Sequence, residues 1–328
     1  MAEPAQTAAL TTPEQFLRRV QWTVKRKLDG LLHGDYRTLF RGYGLDLADL
    51  REYQYGDDVR HIDWNVTARL QTPYVREFHE DRDVTAWFLL DLSASVDFGS
   101  GKVTKRTLAA EFTTVLAQVL AQHGNRVGAL FFDRTLERIV PARNGRRHLL
   151  HLLERMLKKP VHGGSSGINT KNQSTTDLRE FLQAAASNIR RRSLVFMVSD
   201  FFSATDWGPA LGRLAMRHEV IAVRLYDPLE QELPDLGMVT MRDAETGEHL
   251  LVNTHNAGFR RRFAEVAAAR EAQVRIGFAH AGVDALELST AGDVADSVFR
   301  FAAMRKRRGQ LAGGGVPQRV TEFTGAHA

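Results

Sequence analysis

Short, mostly apolar runs separated by amphipathic stretches constrain this chain more than any other feature. The runs are Val84 to Leu90, Val127 to Phe132, Leu194 to Val198, Val220 to Leu225 and Val274 to Phe278. Most are too short for a buried helix and too continuous for a strand with one wet face. That is the texture of parallel strands covered on both sides. Between the first two runs, Leu108, Phe112, Val115, Val119 and Leu120 recur at helical spacing, and Gly124 supplies a stop. Further amphipathic stretches at Arg146 to Leu157, Asp177 to Ile189, Asp206 to Arg217, Ala257 to Ala272 and Asp293 to Arg305 predict helices covering both faces. The segment from Thr135 to Pro141 predicts an edge strand. Glu230 to Asn253, with the turn Ala244-Glu245-Thr246-Gly247, predicts a hairpin inserted before a last helix-strand-helix unit. The expected fold class is therefore α/β, a three-layer sandwich around a mostly parallel sheet, over residues 84–305.

The flanks differ in texture. Residues 1–12 are Ala/Thr-rich and read as disordered. In residues 13–83, Thr12 caps a helix that Pro13 opens and that runs to about Leu32, and a β-rich segment dense in Gly, Tyr and mixed charge follows. Residues 306–328 form a basic, Gly-rich tail. A Gly/Ser/Asn-rich loop spans His162 to Ser174.

The absence of cysteine removes disulfides, thiolate metal sites and cysteine nucleophiles, so any metal chemistry must use oxygen or imidazole. No apolar run approaches the roughly 20 residues that span a bilayer, and the N-terminus lacks the basic and apolar regions of a signal peptide. The expectation is a cytoplasmic protein. Lysine and arginine exceed aspartate and glutamate by 44 to 39, with Arg305-Lys306-Arg307-Arg308 as the most visible cluster. Nucleic-acid binding is a minor alternative on that ground.

Candidate chemistry gathers at the expected C-terminal ends of strands, where open parallel sheets place ligands. The first strand ends in Asp91-Leu92-Ser93-Ala94-Ser95, a later loop carries Thr175-Thr176-Asp177, and another strand runs into Ser199-Asp200. Together they make the oxygen set of a metal-ion-dependent adhesion site. Hard cations such as Mg²⁺ take oxygen ligands and keep several waters. Ser93, Ser95 and Thr176 can offer neutral hydroxyls while Asp91 and Asp200 hold coordinated waters. A shell poor in carboxylate leaves the cation electrophilic and open to a carboxylate from outside. The plainer reading is that the aspartates cap helices and the serines satisfy loop backbone. Thr176 is preferred to Thr175 because Asp177 then opens the next helix directly behind it.

With those residues in view, the chain resembles the von Willebrand factor type A superfamily across Val84 to about Arg305. More closely, it resembles the bacterial family known as domain of unknown function 58. The motif that carries this runs from Arg51 through Tyr53, Tyr55, Asp57, Asp58, Arg60 and Asp63 to Trp64, and continues through Ala68-Arg69 and Val75-Arg76-Glu77-Phe78. The resemblance implies a Rossmann-like domain whose metal ligands are Asp91, Ser93, Ser95, Thr176 and Asp200. It also implies a partner among MoxR-type AAA+ ATPases or their clients. Relatives often carry methionine where Val96 stands, which should not affect coordination. The stretch from Tyr53 to Trp64 has two readings: a buried ion-pair network joining Asp57, Asp58 and Asp63 to Arg51, Arg60 and Arg69, or a partner surface built on Tyr53, Tyr55 and Trp64.

The function expected is a non-enzymatic protein-binding module using one divalent cation, Mg²⁺ foremost, with Mn²⁺ or Ca²⁺ as alternatives. A metal-dependent phosphoester hydrolase is the chief rival, and it lacks an obvious general base. No Gly-rich phosphate loop follows the first strand. His148 and His151 alone do not make a zinc site.

Overall fold

A computed structural model of the chain describes residues 49–54, 59, 62–77, 85–133, 135–158, 177–203, 205–242 and 249–312, together with Glu14. The helix expected after Thr12, the loop from His162 to Ser174, Thr175, Thr176 and the tail beyond 312 lie outside the described residues, as do Tyr55, Asp57, Asp58 and Arg60.

In chain order the elements are β1 (Asp49–Glu52), α1 (Trp64–Leu70), β2 (Tyr74–Glu77), β3 (Thr85–Asp91), α2 (Lys105–Gln122), β4 (Arg126–Phe132), β5 (Leu136–Arg143), α3 (Arg146–Leu157), α4 (Leu178–Asn188), β6 (Leu194–Ser199), α5 (Gly208–Ala215), β7 (Glu219–Tyr226), β8 (Met238–Arg242), β9 (His249–Asn253), α6 (Ala257–Ala281), β10 (Asp284–Ser289) and α7 (Val294–Ala312).

Six strands form the central sheet in the order β10-β7-β6-β3-β4-β5, all parallel except β5, which runs antiparallel to β4. The chain starts in the middle at β3, moves outward through β4 and β5, then returns to the other side of β3 with β6. That reversal leaves a crevice between the C-terminal ends of β3 and β6, the usual ligand position in open α/β sheets.

Alternation along the strands divides the core in two. Phe88 and Leu90 face the layer of α2, α3 and α7, while Leu89 faces the layer of α4, α5 and α6. In the central strands β4 and β6 both faces are buried almost throughout, which explains their continuous apolar runs. Phe88 stacks on Phe196 at 5.0 Å on the first face, and Phe132 on Phe181 at 4.5 Å on the second. The edge strand β5 carries Glu137, Arg138 and Arg143 and contains Pro141, with Val140 as its buried anchor.

One expected strand is corrected. Val274 to Phe278 lies inside α6, and the last strand is β10, which pairs with β7. The run Val-Arg-Ile-Gly-Phe alternates like a strand, but Ile276 faces outward, whereas Val274, Phe278 and Ala281 follow helical spacing into the core. The helix has room there because Gly277 lies under Trp207: a Cβ at this position would stand 2.7 Å from the indole. Trp207 is buried and packed against Phe201 at 5.0 Å and Phe278 at 5.2 Å, so it has little freedom to yield. Gly277→Ala is therefore expected to lower stability by about 1–3 kcal/mol, although alanine is the better helix former. Urea unfolding measures this, and a gain in stability would refute the packing argument.

The inserted hairpin, β8 paired with β9, is present as expected. β1 pairs with β2, and Asp63 caps α1 by accepting from the amides of Asn65 and Val66. Trp64 is 69% exposed, which places this one residue of the motif on the surface.

Candidate functional site

The rim of the crevice is built by the last residues of β3 and β6 and those just beyond them. The pairing of Leu90 with Val198 brings the next two residues, Asp91 and Ser199, side by side. Asp91 accepts from the Ser93 amide at 3.0 Å through Oδ1 and from the Ser199 hydroxyl at 2.6 Å through Oδ2. The chain then turns through a single 3-10 turn, Ala94–Asp97, which Arg106 of α2 braces by pairing with Asp97 and donating to the Leu92 carbonyl at 3.3 Å. This turn carries Ser95 back over Ser93, and the two hydroxyl oxygens stand 3.1 Å apart.

On the β6 side, Phe201 adopts a left-handed backbone with φ of 59°. A bulky residue there costs roughly 1–3 kcal/mol and persists only where its surroundings impose it. Here the Phe201 amide donates to Ser199 Oγ at 2.9 Å, and its ring meets Phe278 edge-on at 4.7 Å. The turn directs Asp200, whose Oδ1 accepts from the Phe202 amide at 3.1 Å.

The structure thus brings four of the five expected ligands, Asp91, Ser93, Ser95 and Asp200, to one rim. The fifth, Thr176, lies outside the described residues. Its neighbour Asp177 caps α4 through the amides of Arg179 and Glu180, and accepts from the Thr205 hydroxyl at 2.6 Å. Asp91 and Asp200, for which capping is the plainer reading of the sequence, are not the N-caps of the elements that follow them; each accepts instead from the backbone amide two residues on. His148 bonds the Val127 carbonyl at 2.8 Å, a structural role.

Two charged residues that the sequence reading did not single out complete the site. Lys105, in the first turn of α2, is fully buried and places Nζ 2.8 Å from Asp200 Oδ2 and 2.6 Å from Glu230 Oε1. Burial opposes its charge, but the Asp200 and Glu230 carboxylates outweigh that and hold its pKa above the usual lysine value. Burial pushes Glu230 up despite Lys105. Burial, with Asp200 beside it, pushes Asp91 up to about 6. Lys105 was legible in principle: it stands in phase with Leu108, Phe112 and Val115, a lysine on the apolar stripe of a helix.

A neighbouring carboxylate, Asp227, ties the rim together. Its Oδ2 accepts from the Ser100 amide at 2.8 Å, the Ser100 hydroxyl at 2.9 Å and the Thr290 hydroxyl at 2.6 Å, and its Oδ1 from the Leu229 amide at 2.9 Å. Burial raises its pKa, but these donors more than offset it and hold the group below the usual carboxylate value.

Among the described residues, no group of three or more His, Cys, Asp or Glu side chains could hold a metal ion. Any cation at this rim would have to rely on hydroxyl oxygens. No helix among the described residues is long and apolar enough to cross a membrane.

An uncharacterized protein of Mycobacterium tuberculosis is 39% identical over 297 residues, 90% of each chain, and one of Mycobacterium bovis matches equally. An uncharacterized protein of Mycobacterium avium is 37% identical over 174 residues, covering 53% of this chain and 97% of that one. Among solved structures, the conserved hypothetical protein BatB from Bacteroides thetaiotaomicron aligns with a TM-score of 0.39 at 13% identity, over 68% of this chain and 99% of that one. An aerotolerance-related membrane protein from Bacteroides fragilis aligns with a TM-score of 0.40 at 12% identity, over 69% and 99%. The model of the family described as protein of unknown function DUF58 matches residues 49–273, from β1 into α6, and the chain belongs to that family.

Proposed function

We propose that the chain is a non-enzymatic, cytoplasmic protein-binding module of the von Willebrand factor type A kind, and that Ser93, Ser95 and Thr176 hold one divalent cation with Asp91 and Asp200 behind them. The observation that carries this reading is the pair of Ser93 and Ser95 hydroxyls, 3.1 Å apart, on the rim that also holds the buried carboxylates of Asp91 and Asp200. Adjacent oxygens in an octahedral Mg²⁺ shell, at about 2.1 Å from the ion, stand about 3 Å from each other. Mn²⁺ and Ca²⁺ take the same donor types. When bound, the cation supplies an electrophilic docking point for an Asp or Glu carboxylate of a partner.

The charge arrangement supports the same reading. Lys105 pairs with Asp200 as well as Glu230, so Asp200 offers a cation less charge than a free carboxylate would, which leaves an outside carboxylate attractive. The partner proposed is a MoxR-type AAA+ ATPase or its client. The rival reading, a phosphoester hydrolase, draws on the raised pKa of Asp91. That carboxylate is buried, and both its oxygens already accept hydrogen bonds from Ser93 and Ser199. It is poorly placed to take a proton from a substrate.

Isothermal titration with MgCl₂ tests the site. Ser93→Ala/Ser95→Ala is expected to weaken Mg²⁺ binding at least about tenfold, the loss of two of six ligands, with an unchanged melting point in EDTA. Equal affinity in both proteins would overturn the assignment.

A further inference from the structure

The longest helix among the described residues is buried at one end only. In α6, the buried residues Val274, Phe278 and Ala281 lie in its C-terminal part, and its N-terminal half stands beyond the core. Ahead of Val274, Arg262, Val266 and Arg270 are spaced four apart, and residues four apart lie one above another on the same helix face. All three are exposed, Val266 at 61%. The stripe is about 12 Å long at 1.5 Å per residue.

Its lower end reaches the candidate site. The Arg270 guanidinium lies 4.9 Å from the ring centroid of Phe202, whose amide donates to Asp200 and whose ring also lies 5.3 Å from Lys105 Nζ. Stacking on a ring holds a guanidinium flat and leaves its N–H donors at the edge for an anion.

The local acids do not cancel this charge. Glu271, next to Arg270, is engaged by the buried Arg224 in a two-pronged pair. The helical neighbours of Arg270 at three and four residues are Ala267, Val266, Gln273 and Val274, all uncharged. Glu265 alone faces Arg261 and Arg262 at the upper end, leaving a basic excess along the stripe.

We infer that the Arg270–Val266–Arg262 stripe is a second recognition element, which receives an acidic segment of the partner protein with an apolar residue between its acids. The inference rests on the reading of the rim as a carboxylate-docking site. A segment whose first acid sits at Ser93 and Ser95 continues past Phe202, pairs a second acid with Arg270, lays an apolar side chain on Val266 and reaches Arg262 with a third. An extended chain covers 12 Å in about four residues, so the second and third acids stand about four apart. Charge complementarity and continuity with the rim select this occupant.

The test uses the full chain and fluorescein-labelled ten-residue peptides measured by anisotropy. One peptide has a leading Asp, then a Glu, and a second Glu four residues on, with Leu midway. Its counterpart keeps the leading Asp and carries Gln for each Glu. In Mg²⁺, the acidic peptide is expected to bind at least about tenfold more tightly than the Gln counterpart. Arg262→Gln and Arg270→Gln should each erase most of that preference, and Arg213→Gln, on the exposed face of α5, should leave it intact. All three arginines are exposed, so the folds should be unaffected.

The two readings fail separately. Preference kept in Arg262→Gln and Arg270→Gln but lost in EDTA would overturn the stripe and leave the cation site standing. Preference lost in the arginine variants but indifferent to EDTA and to Ser93→Ala/Ser95→Ala would keep the stripe and remove the cation. Equal binding of both peptides, or binding of an oligonucleotide in their place, would overturn the inference.

Discussion

Lys105→Met is expected to lower the stability of the folded chain by about 3–5 kcal/mol at neutral pH, the usual cost of removing one partner from a buried charge pair. Methionine fills the same volume, so the loss is electrostatic. It leaves Asp200, which is fully buried, and Glu230 facing each other without the ammonium that now lies 2.8 and 2.6 Å from them. The pH window follows from the direction of the shift. The folded pKa of Lys105 lies above the ordinary 10.5, so its contribution is fully present below that value and fades only as pH climbs through the folded pKa. The deficit should thus persist from neutral pH to about 10. Pairing the change with Glu230→Gln should restore part of the stability. MgCl₂ should stabilise Lys105→Met more than the wild type, because the uncompensated Asp200 attracts the cation. Chemical unfolding with and without MgCl₂ measures both effects, and an unchanged unfolding midpoint in Lys105→Met would show that the buried pair is not a stabilising element.

The second large effect belongs to Asp91 and has the opposite sense. Burial and the neighbouring Asp200 raise its pKa from 3.8 to about 6 in the folded chain. Below about pH 4 both folded and unfolded chains keep this proton. Between about 4 and 6 the unfolded chain loses it first, so stability falls as pH rises. Above 6 the full cost is borne, up to about 3 kcal/mol at 1.36 kcal/mol per pH unit. Asp91→Asn, measured in EDTA, should flatten this decline and make the chain more stable than wild type at pH 7, by an amount that disappears at pH 4. Glu219 and Glu230, also raised by burial, slope the same way in both proteins and cancel in the comparison. Parallel stability-pH curves for the two proteins would refute the assignment.

Much of the rim was legible in the sequence for a simple reason. Asp91, Ser93, Ser95 and Asp200 lie at or just after the ends of apolar runs that form buried parallel strands, and a parallel sheet gathers such ends on one side. Lys105 and Glu230 escaped because neither follows a strand within a motif: the fold brings them to Asp200 from positions 95 residues before it and 30 after. The left-handed Phe201 leaves no local mark, since it is imposed by the Trp207–Phe278 cluster around it. The misplaced last strand has a related cause. Alternation over five residues from Val274 to Phe278 imitated a strand, while the real one, β10, offers only Leu286 and Leu288 as large buried side chains. The fold class survived the error because the count and order of alternating units did not change.

The edge strand β5 bears on how partners can approach. Strand edges offer unpaired backbone groups that invite another chain to add on by main-chain hydrogen bonding. In β5, Pro141 has no amide to give, and Glu137, Arg138 and Arg143 would set charge against any incoming strand. This side of the sheet is built to refuse recognition that ignores side chains. Any chain accepted at this edge would have to be read by what its side chains carry, so selectivity there would lie in sequence and not in a willingness to form a strand.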